Sequence, residues 1–174
     1  MPFVYLSLGS NLGNKYQNIK KAIYFLKLVT KIVDVSSIYL TSPQENKNQP
    51  WFYNCVLKIS TDLSPKKLLE VVKSIEKIIG RKDRGRYQPR VIDIDILFYG
   101  NKIVHKRGLI IPHKKLHRRA FVLYPMEEIS PGYTHPVLHK KVSILKRMLN
   151  DNTQKVRVRI PRRGVLQHLR LPVL

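Results

Sequence analysis

At 174 residues with 43% apolar side chains, the chain is long enough for one domain that buries roughly two-thirds of its unfolded surface. No run of about 18 apolar residues exists to span a membrane, and residues 1–10 hold a proline and alternate like a strand, unlike a signal peptide. A net charge of +22 suits a polyanionic partner, either nucleic acid or a small polyphosphate such as ATP. Lys and Arg recur in nearly every segment, which favours solvated faces plus one local phosphate site. The lone Cys55 forms no internal disulfide and fits a reducing, cytoplasmic setting.

In chain order, Phe3–Leu8 reads as a strand that runs into Gly9-Ser10-Asn11-Leu12-Gly13-Asn14, a turn rich in residues tolerant of positive φ. The spacing matches neither a Walker phosphate loop nor G-x-G-x-x-G. A helix follows from Lys15, with Ile19, Ala22, Ile23, Leu26 and Val29 as its core stripe. Ile32–Leu40 is a second strand and Thr41–Gln49 a polar loop that ends at Pro50. Trp51-Phe52-Tyr53 opens a third strand, Asn54–Ser60; these aromatics suit the core and a stacking platform for a flat ring equally well. Asn54 offers such a ring both a donor and an acceptor.

Ser64-Pro65 starts a second helix, with Leu68, Leu69, Val72, Ile75 and Ile79 as its stripe and Gly80 as its stop. Lys73 and Glu76 are spaced to pair on its surface. Arg81–Pro89 is a basic loop with Gly85 as a hinge. It delivers into Arg90–Phe98, a β-branched strand in which Ile92, Ile94, Ile96 and Phe98 face one way and Asp93 and Asp95 the other. Two like charges about 7 Å apart on one strand face are an unusual choice for an ordinary wet surface. They suit a divalent cation such as Mg²⁺, with Arg81, Lys82, Arg84, Arg86 and Arg90 at hand for phosphate. Tyr99–Lys102 turns into a short strand near Ile103.

His113-x-x-x-His117 and His135-x-x-x-His139 lack the Glu of H-E-x-x-H and any assisting Cys, so zinc is disfavoured and a single His against phosphate is preferred. A short helix over Val142–Leu149 and an alternating strand over Gln154–Ile160 follow, and residues 161–174 read as a basic, frayed tail after one domain over 1–160. The fold class is α+β: a ferredoxin-like β-α-β-β-α-β core, an antiparallel sheet with helices on one face, and C-terminal additions. RNA-binding modules share that topology, but two aspartates on the central strand would repel a phosphate backbone in the absence of a cation.

G-S-N-L-G at Gly9–Gly13, S-S-x-Y-x-T-x-P at Ser36–Pro43 and P-R-x-I-D-I-D-I-L at Pro89–Leu97 occur in that order. I-P-H at Ile111–His113, R-x-F-V-L-x-P at Arg119–Pro125 and E-I-x-P at Glu128–Pro131 follow. Together, over Val4–Leu149, they strongly resemble the 6-hydroxymethyl-7,8-dihydropterin pyrophosphokinases of folate biosynthesis. The resemblance implies transfer of the β,γ-pyrophosphoryl group of ATP to the pterin hydroxymethyl oxygen, with AMP released, by a cytoplasmic monomer without membrane or nucleic-acid partners. It implies two Mg²⁺ ions on Asp93 and Asp95, with Arg81 and Arg90 as phosphate-clamping catalytic residues. ATP would meet Glu76, Arg81, Arg90, Ile96, His113 and Arg119. The pterin ring would lie between Phe52 and Phe121, with Thr41, Ser42, Pro43, Gln44, Asn54 and Asp95 reading its polar edge. Departures from the family pattern are Tyr87-Gln88-Pro89 in place of Trp-Gly-Pro, Lys73 in place of Gln, and Gly108 in place of Arg, with Arg107 beside it.

Overall fold

The computed structural model describes residues 1–82, 85, 88–149 and 154–170; Arg84, Arg86 and Tyr87, named above, lie outside the described residues. In chain order, β1 (Phe3–Ser10) leads to α1 (Lys15–Val29), β2 (Lys31–Val35), β3 (Ile38–Thr41), β4 (Phe52–Ser60), α2 (Pro65–Ile79) and β5 (Asp93–Tyr99). A hairpin of β6 (Val104–Lys106) and β7 (Leu109–Ile111) follows, then α3 (Ala120–Ile129), α4 (Val142–Arg147), β8 (Val156–Ile160) and α5 (Arg162–Leu169). The main sheet runs β5-β1-β4-β3-β8, with β2 also on β4, and each of its pairings is antiparallel. The fold is therefore mixed α/β on an antiparallel sheet.

Local chemistry explains the helices. Asn14 accepts from the Gln17 N–H at the start of α1, and Ile19, Ala22, Ile23 and Leu26 form its buried stripe. Val29, expected in that stripe, is exposed in the last turn. At α2 the Ser64 hydroxyl accepts from the Lys67 N–H, Pro65 takes the first turn, and Gly80 closes the helix at φ 106°.

Three strand expectations need correction. The strand expected over Ile32–Leu40 is interrupted: the Ser36 hydroxyl accepts from the Val56 N–H and donates to the Ser37 carbonyl, so Ser36-Ser37 separates β2 from β3. The central strand starts at Asp93, because the Arg90 N–H and C=O are already bonded to Asn11. Within β5 the register against β1 shifts between Tyr5–Phe98 and Leu6–Ile96, a bulge that turns Phe98 away from the face of Ile92, Ile94 and Ile96.

That bulge exposes a larger difference. Helices cover both faces of the sheet, where one was expected. On one side Val4, Leu6, Leu8, Ile94 and Ile96 pack with Ile19, Leu26, Leu68 and Val72 of α1 and α2. On the other, Tyr5, Val56 and Phe98 pack with Val122, Leu123, Met126 and Leu145 of α3 and α4. Residues 162–169 are helical, contrary to the frayed tail expected, because Val165 and Leu166 enter the first core and Arg162 forks onto both oxygens of Asp34 at 2.7 and 2.8 Å.

Candidate active site

Asp93 and Asp95 stand one residue apart on β5, both lining a cleft of about 260 Å³. The alternation read from sequence places them on one face, as expected. Asp93 is held by two guanidiniums: Arg81 reaches one carboxylate oxygen and Arg90 the other, each at 2.6 Å. Burial pushes its carboxyl up, but Arg90, Arg81 and Lys73 together outweigh this and hold it below the usual carboxylate range. Asp95 has looser company, with His113 at 3.9 Å and Arg119 at 3.8 Å. Burial and the neighbouring Asp93 charge raise its carboxyl, with His113 and Arg119 opposing. Burial lowers the His113 imidazole despite Asp95. Its Nδ1 accepts from the Lys115 N–H, so the neutral ring carries its proton on Nε2, facing Asp95.

One half of the cleft carries aromatic and amide side chains. Phe52 and Phe121 line it together with Thr41, Gln44 and Asn54. Asn54 donates to the Thr41 hydroxyl at 2.7 Å. Its Oδ1 lies where a side chain on Gly9 would be, since a Cβ there would sit 2.6 Å away. Gly9 is thus required by close approach of Asn54 and not by a turn. The Arg119 guanidinium lies 5.3 Å from the Phe121 ring centre, and Gln44 donates to the Arg118 carbonyl across the mouth.

A second cleft, also about 260 Å³, is lined by Lys73, Glu76, Lys77, Arg81, Lys82 and Arg90. Arg90 and Gln88 line both clefts, which therefore meet beside Asp93. Glu76 is the pivot of the cationic side. The surface pair expected between Lys73 and Glu76 is instead a buried network: Glu76 is 2% exposed and accepts from Lys73, from Arg81 at 2.5 Å and from the Ile94 N–H at 2.7 Å. Burial raises its carboxyl, while Lys73, the Ile94 N–H and Arg81 pull it down.

The site residues expected from sequence gather here with three exceptions. Ile96 sits in the α1–α2 core and lines neither cleft. The alternation that turns Asp95 toward the cleft turns its neighbour inward. Ser42 and Pro43 do not line either cleft, and Ser42 instead bonds to Lys155 and Gln154. Sequence reading missed Ser7, Gln49 and Gln154 in the lining, and the side-chain role of Asn11, which bonds both Gln49 and the Arg90 backbone. Asn11 lies in a motif that was noticed, but Gln154 had no local signal at all.

Among the described residues no group of three or more His, Cys, Asp or Glu is placed to hold a metal. At His135, Nδ1 accepts from the Val137 and Leu138 N–H groups, and the residue is buried. Among the described residues no helix is long and apolar enough to cross a membrane.

The family model for 7,8-dihydro-6-hydroxymethylpterin-pyrophosphokinase (HPPK) matches residues 5–131. A 2-amino-4-hydroxy-6-hydroxymethyldihydropteridine pyrophosphokinase of Aquifex aeolicus is 41% identical over 155 residues, covering 89% of this chain and 95% of that protein. The folic acid synthesis protein FOL1 of Dictyostelium discoideum is 45% identical over 143 residues, 82% of this chain. This chain spans only 22% of that much longer relative. A crystal structure of Plasmodium falciparum HPPK-DHPS superposes with a TM-score of 0.71 at 18% identity, over 84% of this chain and 43% of that one, and so supports the fold alone. The RNA-binding reading of the topology is dropped, since the family match and the paired aspartates both oppose it.

Proposed function

This chain belongs to the 7,8-dihydro-6-hydroxymethylpterin-pyrophosphokinase family, and we propose that it transfers the β,γ-pyrophosphoryl group of ATP to the hydroxymethyl oxygen of 6-hydroxymethyl-7,8-dihydropterin in folate biosynthesis. The observation that carries this reading is the meeting of two unlike clefts at Arg90, the partner of Asp93: an aromatic and amide cleft that holds the aspartate pair, and a cationic one. In the reaction the pterin alcohol oxygen bonds to the β-phosphorus, the bond from that phosphorus to the α,β-bridging oxygen breaks, AMP departs and the hydroxyl proton passes to water. No side chain is assigned as general base.

The donor set fits a hard divalent cation, because Asp93 and Asp95 supply carboxylate oxygens from one strand face and leave the remaining positions to phosphate and water. Mg²⁺ held there, two ions by the family pattern, would neutralise the oxygens around the β-phosphorus. Arg81 and Arg90 are counter-ions to Asp93 and pass to the triphosphate when it enters. His113 and Arg119, flanking Asp95, face the same phosphates. Phe52 and Phe121 sandwich the pterin, and Asn54, fixed by Thr41, reads its edge. With β2 and β3 counted as one interrupted strand, the sheet has the strand order of a ferredoxin-like split βαβ. The enzyme acts as a cytoplasmic monomer, and the loop over 41–50 closes on the substrates to exclude water; the stretch over 81–89, expected to close with it, lies partly outside the described residues.

Product analysis with Mg-ATP and the dihydropterin alcohol tests the proposal: AMP and the pterin diphosphate are expected, while ADP or no product refutes it. Unchanged amide exchange in the loop over 41–50 on adding pterin and an ATP analogue would remove the closure.

A further inference from the structure

We propose that Gln154, from the C-terminal segment, is a positioning residue for the ring-binding half of the cleft, and that it sets pterin affinity separately from nucleotide affinity. The inference rests on the pterin reading above. Its basis is a side-chain amide with both ends used. The Nε2 group donates to the Ser42 carbonyl at 2.7 Å, and Oε1 accepts from the Phe121 N–H at 3.2 Å. The residue is 8% exposed and lines the cleft. It therefore ties the end of β3, beside Thr41, to the first turn of α3, which carries Phe121.

The end of β3 is held by β4 through Thr41 and Phe52, but the Phe121 N–H at the start of α3 finds its acceptor outside the helix. The first N–H groups of a helix lack intrahelical acceptors, and α3 has no side-chain cap from Arg119, the residue that precedes it. Gln154 supplies the acceptor from outside the helix. On the other side, the chain beyond β3 is bound to the same segment twice more: the Ser42 N–H donates to the Lys155 carbonyl and the Lys155 N–H to the Ser42 hydroxyl, both at 2.9 Å. Thr41, which receives the Asn54 amide, is paired with Val156 of β8.

The segment is in turn anchored far from the cleft. Arg162 forks onto Asp34 and its N–H donates to Ser37, Val165 and Leu166 are buried, and Tyr16 bonds to His168. Gln154 thus transmits a fixed frame to the two walls between which the ring lies. Gln154 does not line the cationic cleft, whose Lys73, Glu76, Lys77, Arg81 and Lys82 are absent from the lining that Gln154 shares.

The experiment compares the full chain with Gln154→Leu and Gln154→Glu, measuring calorimetric Kd for the pterin and for a non-hydrolysable Mg-ATP analogue, with amide exchange at Phe121. Loss of a buried hydrogen bond predicts pterin Kd raised about tenfold in both variants and nucleotide Kd within about twofold of wild type. Phe121 exchange accelerates in Gln154→Leu and stays slow in Gln154→Glu, which keeps the acceptor. Should Gln154→Leu fail to fold, Gln154→Glu still decides. Pterin affinity within about twofold of wild type, or equal weakening of both ligands, overturns the proposal. A wild-type protein that binds no pterin overturns the functional reading instead, and Phe121 exchange unchanged in Gln154→Leu then overturns the tie as well.

Discussion

Glu76→Gln tests whether the buried carboxylate on α2 organises the cationic cleft. The substitution is nearly isosteric, so it leaves no cavity. What it changes is the count of acceptors. The Ile94 N–H, the Arg81 guanidinium and the Lys73 ammonium all donate to Glu76. Glutamine offers one acceptor oxygen and brings two N–H donors into that ring of donors. One charge-assisted bond is lost and a buried donor is left without a partner, a cost of about 1.5–3 kcal/mol. The Lys73 contribution is small, because its side chain is 44% exposed and the contact is screened by solvent. Arg81 keeps Asp93, so the full penalty of an isolated buried charge does not arise. For a chain of this size about 2 kcal/mol lowers Tm by roughly 4–8 °C. Urea and thermal unfolding of wild type, Glu76→Gln, Lys73→Met and the double variant read this directly. Stability of Glu76→Gln within about 0.5 kcal/mol of wild type would refute the reasoning, since a donor ring cannot accept an amide at no cost.

Asp95→Ala is expected to lower AMP formation about a hundredfold or more while leaving Tm unchanged or slightly raised, because it also relieves repulsion from Asp93; near-normal turnover would remove the metal assignment. Gly9→Ala drives a Cβ to 2.6 Å from Asn54 Oδ1 and should raise the pterin KM about tenfold with the nucleotide KM unchanged, and equal shifts in both would contradict the role given to Asn54. His135 is buried, its imidazole lowered to about 4 first by burial and then by His117 and His139. Because the unfolded state binds more protons between that value and the ordinary histidine range near 6.5, stability should be fully present above about 6.5 and fall as pH drops toward 4. Denaturation at several pH values checks this, and His135→Asn, which retains an acceptor for the Val137 and Leu138 N–H groups, should flatten that part of the profile.

Much of this protein was decided within short stretches of chain. Asn14, Ser64-Pro65 and Gly80 bound their helices because capping is a contest among adjacent groups. The alternation over residues 93–96 placed Asp93 and Asp95 together, because a strand has no other period available. The family motifs likewise named Phe52, Asn54 and Phe121, which do line one cleft. Tertiary structure decided the rest, wherever a residue's fate depends on a partner distant in sequence. The Ser36 bond to Val56 splits one strand into two, and the β5 bulge against β1 sends Phe98 to the opposite core. Burial turned Glu76 from a surface partner of Lys73 into the hub for Arg81 and Ile94. The last residues carry a polar and basic pattern that reads as unstructured in isolation. Two buried side chains of α5 and the Arg162–Asp34 fork hold residues 162–169 on the sheet, and only that docking brings Gln154 to the cleft.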